Sequence, residues 1–398
     1  MRVLNRRAFL STAIAAAAPH RDSIDTVLRD GAASRNIPAV AAVAAGPEKT
    51  LYSGAFGVRD DSGVPVRADC LFSIASMTKA ITTVAALQLV EQGKLQLHQP
   101  VSRHLRQFEE VQLLEGFDSA GKPILHPART PVTLHHLLTH TSGLCYDIWD
   151  GRMLRYNASK PAPRTGPLLF EPGTNWQYGQ GLDWAGRLIE AVSGLSLEAY
   201  FQTHILQPLG MVDTSYLVPD SKFDRLVSWY LRGEAGKLVQ QKREPPKPPT
   251  SFNGGGGLYS TAADYVRFLQ MILRNGAAPG RARILQPKTV ALMKANQIGS
   301  LSAGKMKAAR PNLSADVDMQ PGHTEKWTYG FLLNTDPYEG GRSAGSLAWA
   351  GFYNTYYWVD PRRKICGVIL MQFLPFADKD ALALLNGFER AIYSARLS

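Results

Sequence analysis

Residues 71–95, "LFSIASMTKAITTVAALQLVEQGKL", read as a long helix that ends at Gln92-Gly93. Its apolar residues account for burial, but Ser76, Thr78 and Lys79 near its start meet no packing need. Residues three apart on a helix share a face about 5–6 Å apart, so Lys79 can set its ammonium beside the Ser76 hydroxyl. Ser76 also falls where the first backbone N–H groups of a helix lack intrahelical partners, so its own N–H can face a carbonyl oxygen. An N-capping serine with an incidental lysine accounts for the same pattern. The same spacing at Ser302 and Lys305, in the loop-like "LSAGKMK", shows that spacing alone decides nothing.

On either side of this segment the chain changes character. "RDSIDTVLRDGAASRN" reads as a first helix, and "IPAVAAVAAGPEKTLYSGAFGVRDD" as two strands joined at Gly46-Pro47. From about Leu95 to Thr250, helices alternate with long polar loops. Strand-like runs return in "KWTYGFLLN", "AGSLAWAG", "YNTYYWVD" and "ICGVILMQF", before a closing helix, "ADKDALALLNGFERAIYSARL". Two strands near one end and several near the other imply a single sheet built from both ends of the chain. Tight connections between the late strands favour antiparallel pairing. The expected fold class is α/β (α+β), a mostly antiparallel sheet between helices. Residues 19–94 and 251–398 would form that region, and residues 95–250 an α-rich insertion, with the active site in the cleft between them.

The chain has 398 residues, 45% hydrophobic and 19% charged, which fits an enzyme-sized globular protein. Its net charge of +11 invites a nucleic-acid reading, yet Lys and Arg are scattered, and the densest patch, Lys237 to Lys247, is broken by prolines. Nucleic acid is therefore excluded as a partner. "MRVLNRRAFLSTAIAAAAPH" pairs Arg6 and Arg7 with a short apolar run, resembling a twin-arginine export signal over residues 1–18. Its use would make the protein periplasmic or secreted; without it, cytoplasmic. No later segment reaches the length of a stable membrane span. Cys70, Cys145 and Cys366 are odd in number and widely spaced, so they read as buried small hydrophobes.

Two further segments change the weight given to Ser76 and Lys79. In "EPGTNWQYGQGLDWAGRLIEAVSG", Tyr178 precedes Gly179 and Gln180 at a helix start, and in "SLAWAGFYNTYYWVDP" small Ala350 and Gly351 follow Trp349. With "SMTK" (76–79), "LLTHTSGL" (137–144), "QPLGMVDTSY" (207–216), "GGGGLYSTAADYVRFLQMIL" (254–273) and "VDP" (359–361), the chain resembles the serine hydrolases of the class C β-lactamase, penicillin-binding and carboxylesterase superfamily. The likeness covers nearly everything after residue 18 and implies a β-lactamase/transpeptidase-like fold.

That resemblance implies a Ser76 acyl-enzyme, because a serine hydroxyl is a poor nucleophile until a base removes its proton. In one scheme Lys79 is the base, which requires it neutral; in the other a charged Lys79 stabilises a Tyr178 phenolate. Ser76 and Phe352 would supply the N–H groups of an oxyanion hole, with Trp349, Ala350, Gly351 and Gln180 at the substrate. Trp349 stands where lactamases carry the lysine of Lys-Thr-Gly, and Gln180 where they carry asparagine. An aromatic wall favours an uncharged acyl or alcohol group, which places the chain with the carboxylesterase branch, some of whose members open β-lactams weakly. The expected partner is a small-molecule ester or amide, with no metal and no organic cofactor. A β-lactamase, a D-alanyl peptidase-like penicillin-binding protein, or a relative that is acylated without turning over stands as the alternative. The sequence carries no signal for oligomeric state.

Other motifs are set aside. "GRSAG" (341–345) matches Gly-x-Ser-x-Gly, but Ser343 follows a loop and precedes a strand, the reverse of what that motif requires. His135, His136 and His140 lack a ligand pattern around them. "GGGG" (254–257) has no following Lys-Ser or Lys-Thr, so flexibility or tight packing explains it better than phosphate binding. The loops 108–131, 145–166 and 233–250 are long enough to wall an acyl pocket, with Trp149, Tyr156 and Trp176 adding aromatic surface.

Overall fold

Seven strands form one sheet: β1 (Ala39–Ala45), β2 (Thr50–Gly57), β3 (Glu325–Trp327), β4 (Leu332–Asn334), β5 (Leu347–Gly351), β6 (Thr355–Asp360) and β7 (Ile365–Leu370). Their order is β2-β1-β7-β6-β5-β4-β3, and every neighbouring pair is antiparallel. The two ends of the chain meet where Ala41 faces Leu370 and Ala45 faces Cys366. The sheet expected from both ends is therefore present. The computed structural model describes residues 18–158, 166–233 and 236–395, so the expected export signal lies outside the described residues except for Ala18.

Every residue of β1, β6 and β7 is buried, because both faces of the sheet are covered. The helices are α1 (Ala18–Ser34), α2 (Thr78–Glu91), α3 (Leu134–Thr139), α4 (Gly181–Ser193), α5 (Ala262–Leu273) and α6 (Lys379–Ser394). Consecutive strand residues point to opposite faces. Trp358 meets Phe388 of α6 at 5.6 Å between rings, while its neighbour Tyr357 meets Tyr265 of α5 at 5.2 Å, so α6 and α5 cover opposite faces. On the α6 side, Gly31 of α1 abuts Leu384.

Helix α2 is buried from Thr78 to Leu89, as an all-round apolar helix must be. Its polar side chains keep partners: the Thr82 hydroxyl donates to the Gly254 carbonyl at 2.7 Å and that of Thr83 to the Lys79 carbonyl at 2.9 Å. All three cysteines are free and buried. Among the described residues no helix is long and apolar enough to cross a membrane.

The long loops carry more order than their sequences suggest. Residues Gln112–Phe117 pair with Pro123–Pro127 as a hairpin, Gly151–Ala158 form a helix, and Leu238–Gln240 form a short strand against Tyr230–Arg232. Pro123 and Pro127 hid the hairpin, since proline fits a strand only where its missing N–H is not needed, as at an edge.

Glu325 on β3 is 3% exposed, and burial pushes its carboxyl up to about 7, against the opposing pull of Arg342. The unfolded chain loses this proton near the ordinary value of 4.5, while the folded chain keeps it to about 7. The associated stability is thus full below the lower value and lost as pH rises between the two. Subtracting the melting temperature of Glu325→Gln from that of wild type should give a difference that falls across this window. A flat difference in thermal melts would refute it.

Candidate active site

Ser76 sits in a single 3₁₀ turn, Ala75–Met77, that runs into α2. Ala75 holds φ at +43°, a region that non-glycine residues avoid and that structures retain mainly at functional sites. Met77 occupies the N-cap position of α2, and no side chain caps it. Ser76 is therefore not a cap; its hydroxyl lies 3.1 Å from Lys79 Nζ. Lys79 is 1% exposed and also donates to Tyr146 Oη at 3.2 Å and to the Gly255 carbonyl at 2.6 Å. The Tyr146 hydroxyl in turn donates to Asp183 Oδ2 at 2.7 Å. The buried Lys79 nitrogen thus has three oxygen partners, with a carboxylate one side chain away.

Tyr178 is 2% exposed, with Lys79 Nζ 5.0 Å from its ring centroid. Its oxygen accepts from Trp349 Nε1 at 3.1 Å, and the two rings lie 4.9 Å apart. No hydrogen bond joins Tyr178 to Ser76. Trp349 lies opposite Tyr357 in the sheet, so its side chain faces the α5 side, and it is 3% exposed. It stands behind Tyr178 as an indole donor instead of forming the expected aromatic wall.

Gly351 is needed for a close approach, but to the protein itself: a Cβ there would collide with the Ile74 carbonyl oxygen and the Thr355 hydroxyl. The small residue lets β5 dock on the turn that carries Ser76. Ala350 is buried beside it, and Phe352 follows half-buried, stacked on Phe376. Gln180 takes the N-cap position of α4 and donates its backbone N–H to Leu144. It lines a polar cavity of about 690 Å³ with Tyr146, Asp183, Arg187 and Asn253.

The glycine run is tight packing. Gly254 lies against Gly186 of α4, a Cβ on Gly255 would strike the Asp183 carboxylate, and the Gly255 carbonyl reaches Lys79. Ser343 lies in the turn before β5 and donates its N–H to Asp360. His140 ends α3 at φ +58°, accepts from the Gly179 N–H at 3.3 Å, and is held well below its ordinary value by burial, hence neutral. His135 and His136 are each pushed down to about 4, chiefly by burial. No group of three or more metal-ligating side chains occurs among the described residues. Trp149 meets Tyr178 at 5.5 Å, Trp176 meets Trp327 at 5.5 Å, and Tyr156 belongs to a satellite core with Leu114 and Met153.

Sequence reasoning missed Tyr146, Asp183 and Gly255. Tyr146 lies two residues past "LLTHTSGL", and Asp183 lies two past "YGQG", so proximity to recognised segments was the only signal.

A family model, Beta-lactamase, matches residues 24–390. The chain is 31% identical to monacolin J acid methylbutanoyltransferase of Aspergillus terreus, over 96% of this chain and 97% of that one. It is likewise 31% identical to lovastatin esterase of Penicillium rubens, over 87% and 89%. Unliganded simvastatin synthase from Aspergillus terreus superposes with a TM-score of 0.81 at 29% identity, covering 95% of this chain and 99% of that one. With the sheet, the α2 start and these matches in agreement, the chain belongs to the Beta-lactamase family and has the β-lactamase/transpeptidase-like fold.

Proposed function

We propose that the protein cleaves small carboxylic esters through a Ser76 acyl-enzyme. The observation that carries this reading is the buried Lys79 Nζ, 3.1 Å from the Ser76 hydroxyl at a strained helix start. In the first step the Ser76 oxygen bonds to the ester carbonyl carbon while its proton passes to the Tyr178 phenolate oxygen. The bond to the leaving alkoxide then breaks, and that alkoxide takes the proton. Water or a second alcohol attacks the acyl carbon, gives its proton to Tyr178, and Ser76 departs and recovers it. The Trp349 N–H is directed at the Tyr178 oxygen and Lys79 Nζ lies over its ring, an arrangement suited to charge developing on that oxygen during proton transfer. Hydrogen bonds of this kind are often loose until substrate binds, so the unliganded separation of Tyr178 from Ser76 is no obstacle. The backbone N–H groups of Ser76 and Phe352 would hold the oxyanion, each such donor typically worth about 10²–10³ in rate.

Esters come before lactams because Trp349 replaces the lysine that would bind an anionic substrate's carboxylate. Transfer to an alcohol is the second reading, supported by the similarity to a methylbutanoyltransferase over 96% of the chain. The test is turnover of p-nitrophenyl butyrate and of a chromogenic cephalosporin, each with and without an added alcohol. Rapid ester cleavage with slow lactam opening is expected; faster lactam opening would overturn the assignment in favour of a lactamase or penicillin-binding activity. A new ester formed in the presence of alcohol would establish transfer.

A further inference from the structure

Lys79 has three neighbours, and two of them lie outside the serine–lysine–tyrosine set. The Gly255 carbonyl can only accept. The Tyr146 oxygen is restricted to accepting for another reason: its proton is directed at Asp183 Oδ2, 2.7 Å away. Burial, and then the Asp183 charge, push the Tyr146 phenol well above its ordinary value, so that proton stays in place. Asp183 is itself fixed in the first turn of α4, where a carboxylate is favoured by the helix dipole. The Cβ-free backbone of Gly255 lets the glycine run lie against that carboxylate.

Two other titratable groups face Lys79. His140, at the end of α3, is held neutral by burial. Tyr178 offers its ring face, 5.0 Å from Nζ, while its oxygen is engaged by Trp349. Asp183, acting through Tyr146, is the carboxylate in this network.

We propose that Tyr146 and Asp183 are a positioning pair: the carboxylate orients the phenol, and the phenol oxygen, with the Gly255 carbonyl, holds Lys79 as an ammonium aimed at Ser76. Two N–H groups are directed to Tyr146 and Gly255, and the third meets the Ser76 oxygen. An ammonium so engaged has no lone pair for the Ser76 proton, which goes to Tyr178. This inference rests on the reading of Ser76 as the nucleophile.

The test uses Tyr146→Phe and Asp183→Asn in the full chain with p-nitrophenyl butyrate. In both, kcat should fall about 10²-fold, the lower end of what a positioned proton-transfer group contributes, with KM little changed. In Asp183→Asn the alkaline limb of the kcat/KM profile should move to lower pH, because a carboxylate that favours the ammonium is then gone. Asp183→Glu, which keeps the carboxylate, should recover part of the rate. Labelling of Ser76 by a fluorophosphonate probe should slow in the two disabling variants, reporting serine activation without turnover. Wild-type kcat and pH profile in both variants, beside an inactive Ser76→Ala, would overturn the pair and leave the acyl-enzyme reading standing. A lower melting temperature with unchanged kcat would make the pair a structural tie and also overturn it. Movement of the acid limb instead would refute the charged state assigned to Lys79. An active Ser76→Ala would remove both readings together.

Discussion

Replacing Ser76 with alanine should lower ester turnover by about 10⁴-fold or more and leave the protein folded, since losing a nucleophile removes the covalent route and retains only binding and oxyanion contacts. Capping serines behave differently, because their loss typically destabilises a helix by about 1 kcal/mol. Here no side chain caps α2, and the Ser76 hydroxyl meets Lys79 alone. Thermal melts of Ser76→Ala should therefore overlay those of wild type. Adding Lys79→Ala should not multiply the kinetic loss, because residues that act as a unit are strongly non-additive. A Ser76→Ala protein that kept a tenth of wild-type turnover would end the acyl-enzyme reading.

The largest stability effect is expected at the Arg342–Glu389 pair. Arg342, in the turn before β5, donates from its backbone N–H, Nε and Nη2 to the Glu389 carboxylate on α6 at 2.7–3.2 Å. Both side chains are almost fully enclosed, at 5% and 3% exposed. Glu389→Ala would strand a buried guanidinium, which typically destabilises by about 3–5 kcal/mol, whereas replacing both partners with apolar groups is often close to neutral. Urea unfolding of Glu389→Ala, Arg342→Met and the combined Arg342→Met/Glu389→Leu should show two strongly lowered midpoints and one largely restored. If the double variant were as unstable as the worse single one, the effect would lie in packing and not in an uncompensated charge.

Much of the architecture was readable because its signals are local. β1 and β7 are short apolar runs, "AVAAVAA" and "ICGVIL", and the chain between the early and late strands is visibly different. Ser76 and Lys79 were readable because three residues of helix bring them together by geometry alone. Tyr146, Asp183 and Gly255 were not, because their separations along the chain are 67 residues from Lys79 to Tyr146, 37 from Tyr146 to Asp183 and 176 from Lys79 to Gly255. Asp183 alone looks like an ordinary first-turn acid, and Tyr146 like a loop anchor. The setting of Trp349 was nearer to hand: register with Tyr357 puts the two on one face, under α5, where an indole meets the core before it meets a ligand.

The pairing of β1 with β7 joins Ala45 to Cys366, 321 positions along the chain, and its other pairs lie further apart still. During synthesis the "AVAAVAA" strand waits, with one long apolar edge bare, until almost the whole polypeptide has emerged. Unpaired edges of this kind recruit other chains, and contacts so distant in sequence form slowly. A product that ends before Ile365 keeps β2 beside β1 but leaves the other edge of that strand unpaired. Premature termination before Ile365 is thus expected to yield aggregate instead of a smaller enzyme with reduced activity, so the closing strand decides whether the opening one stays in solution.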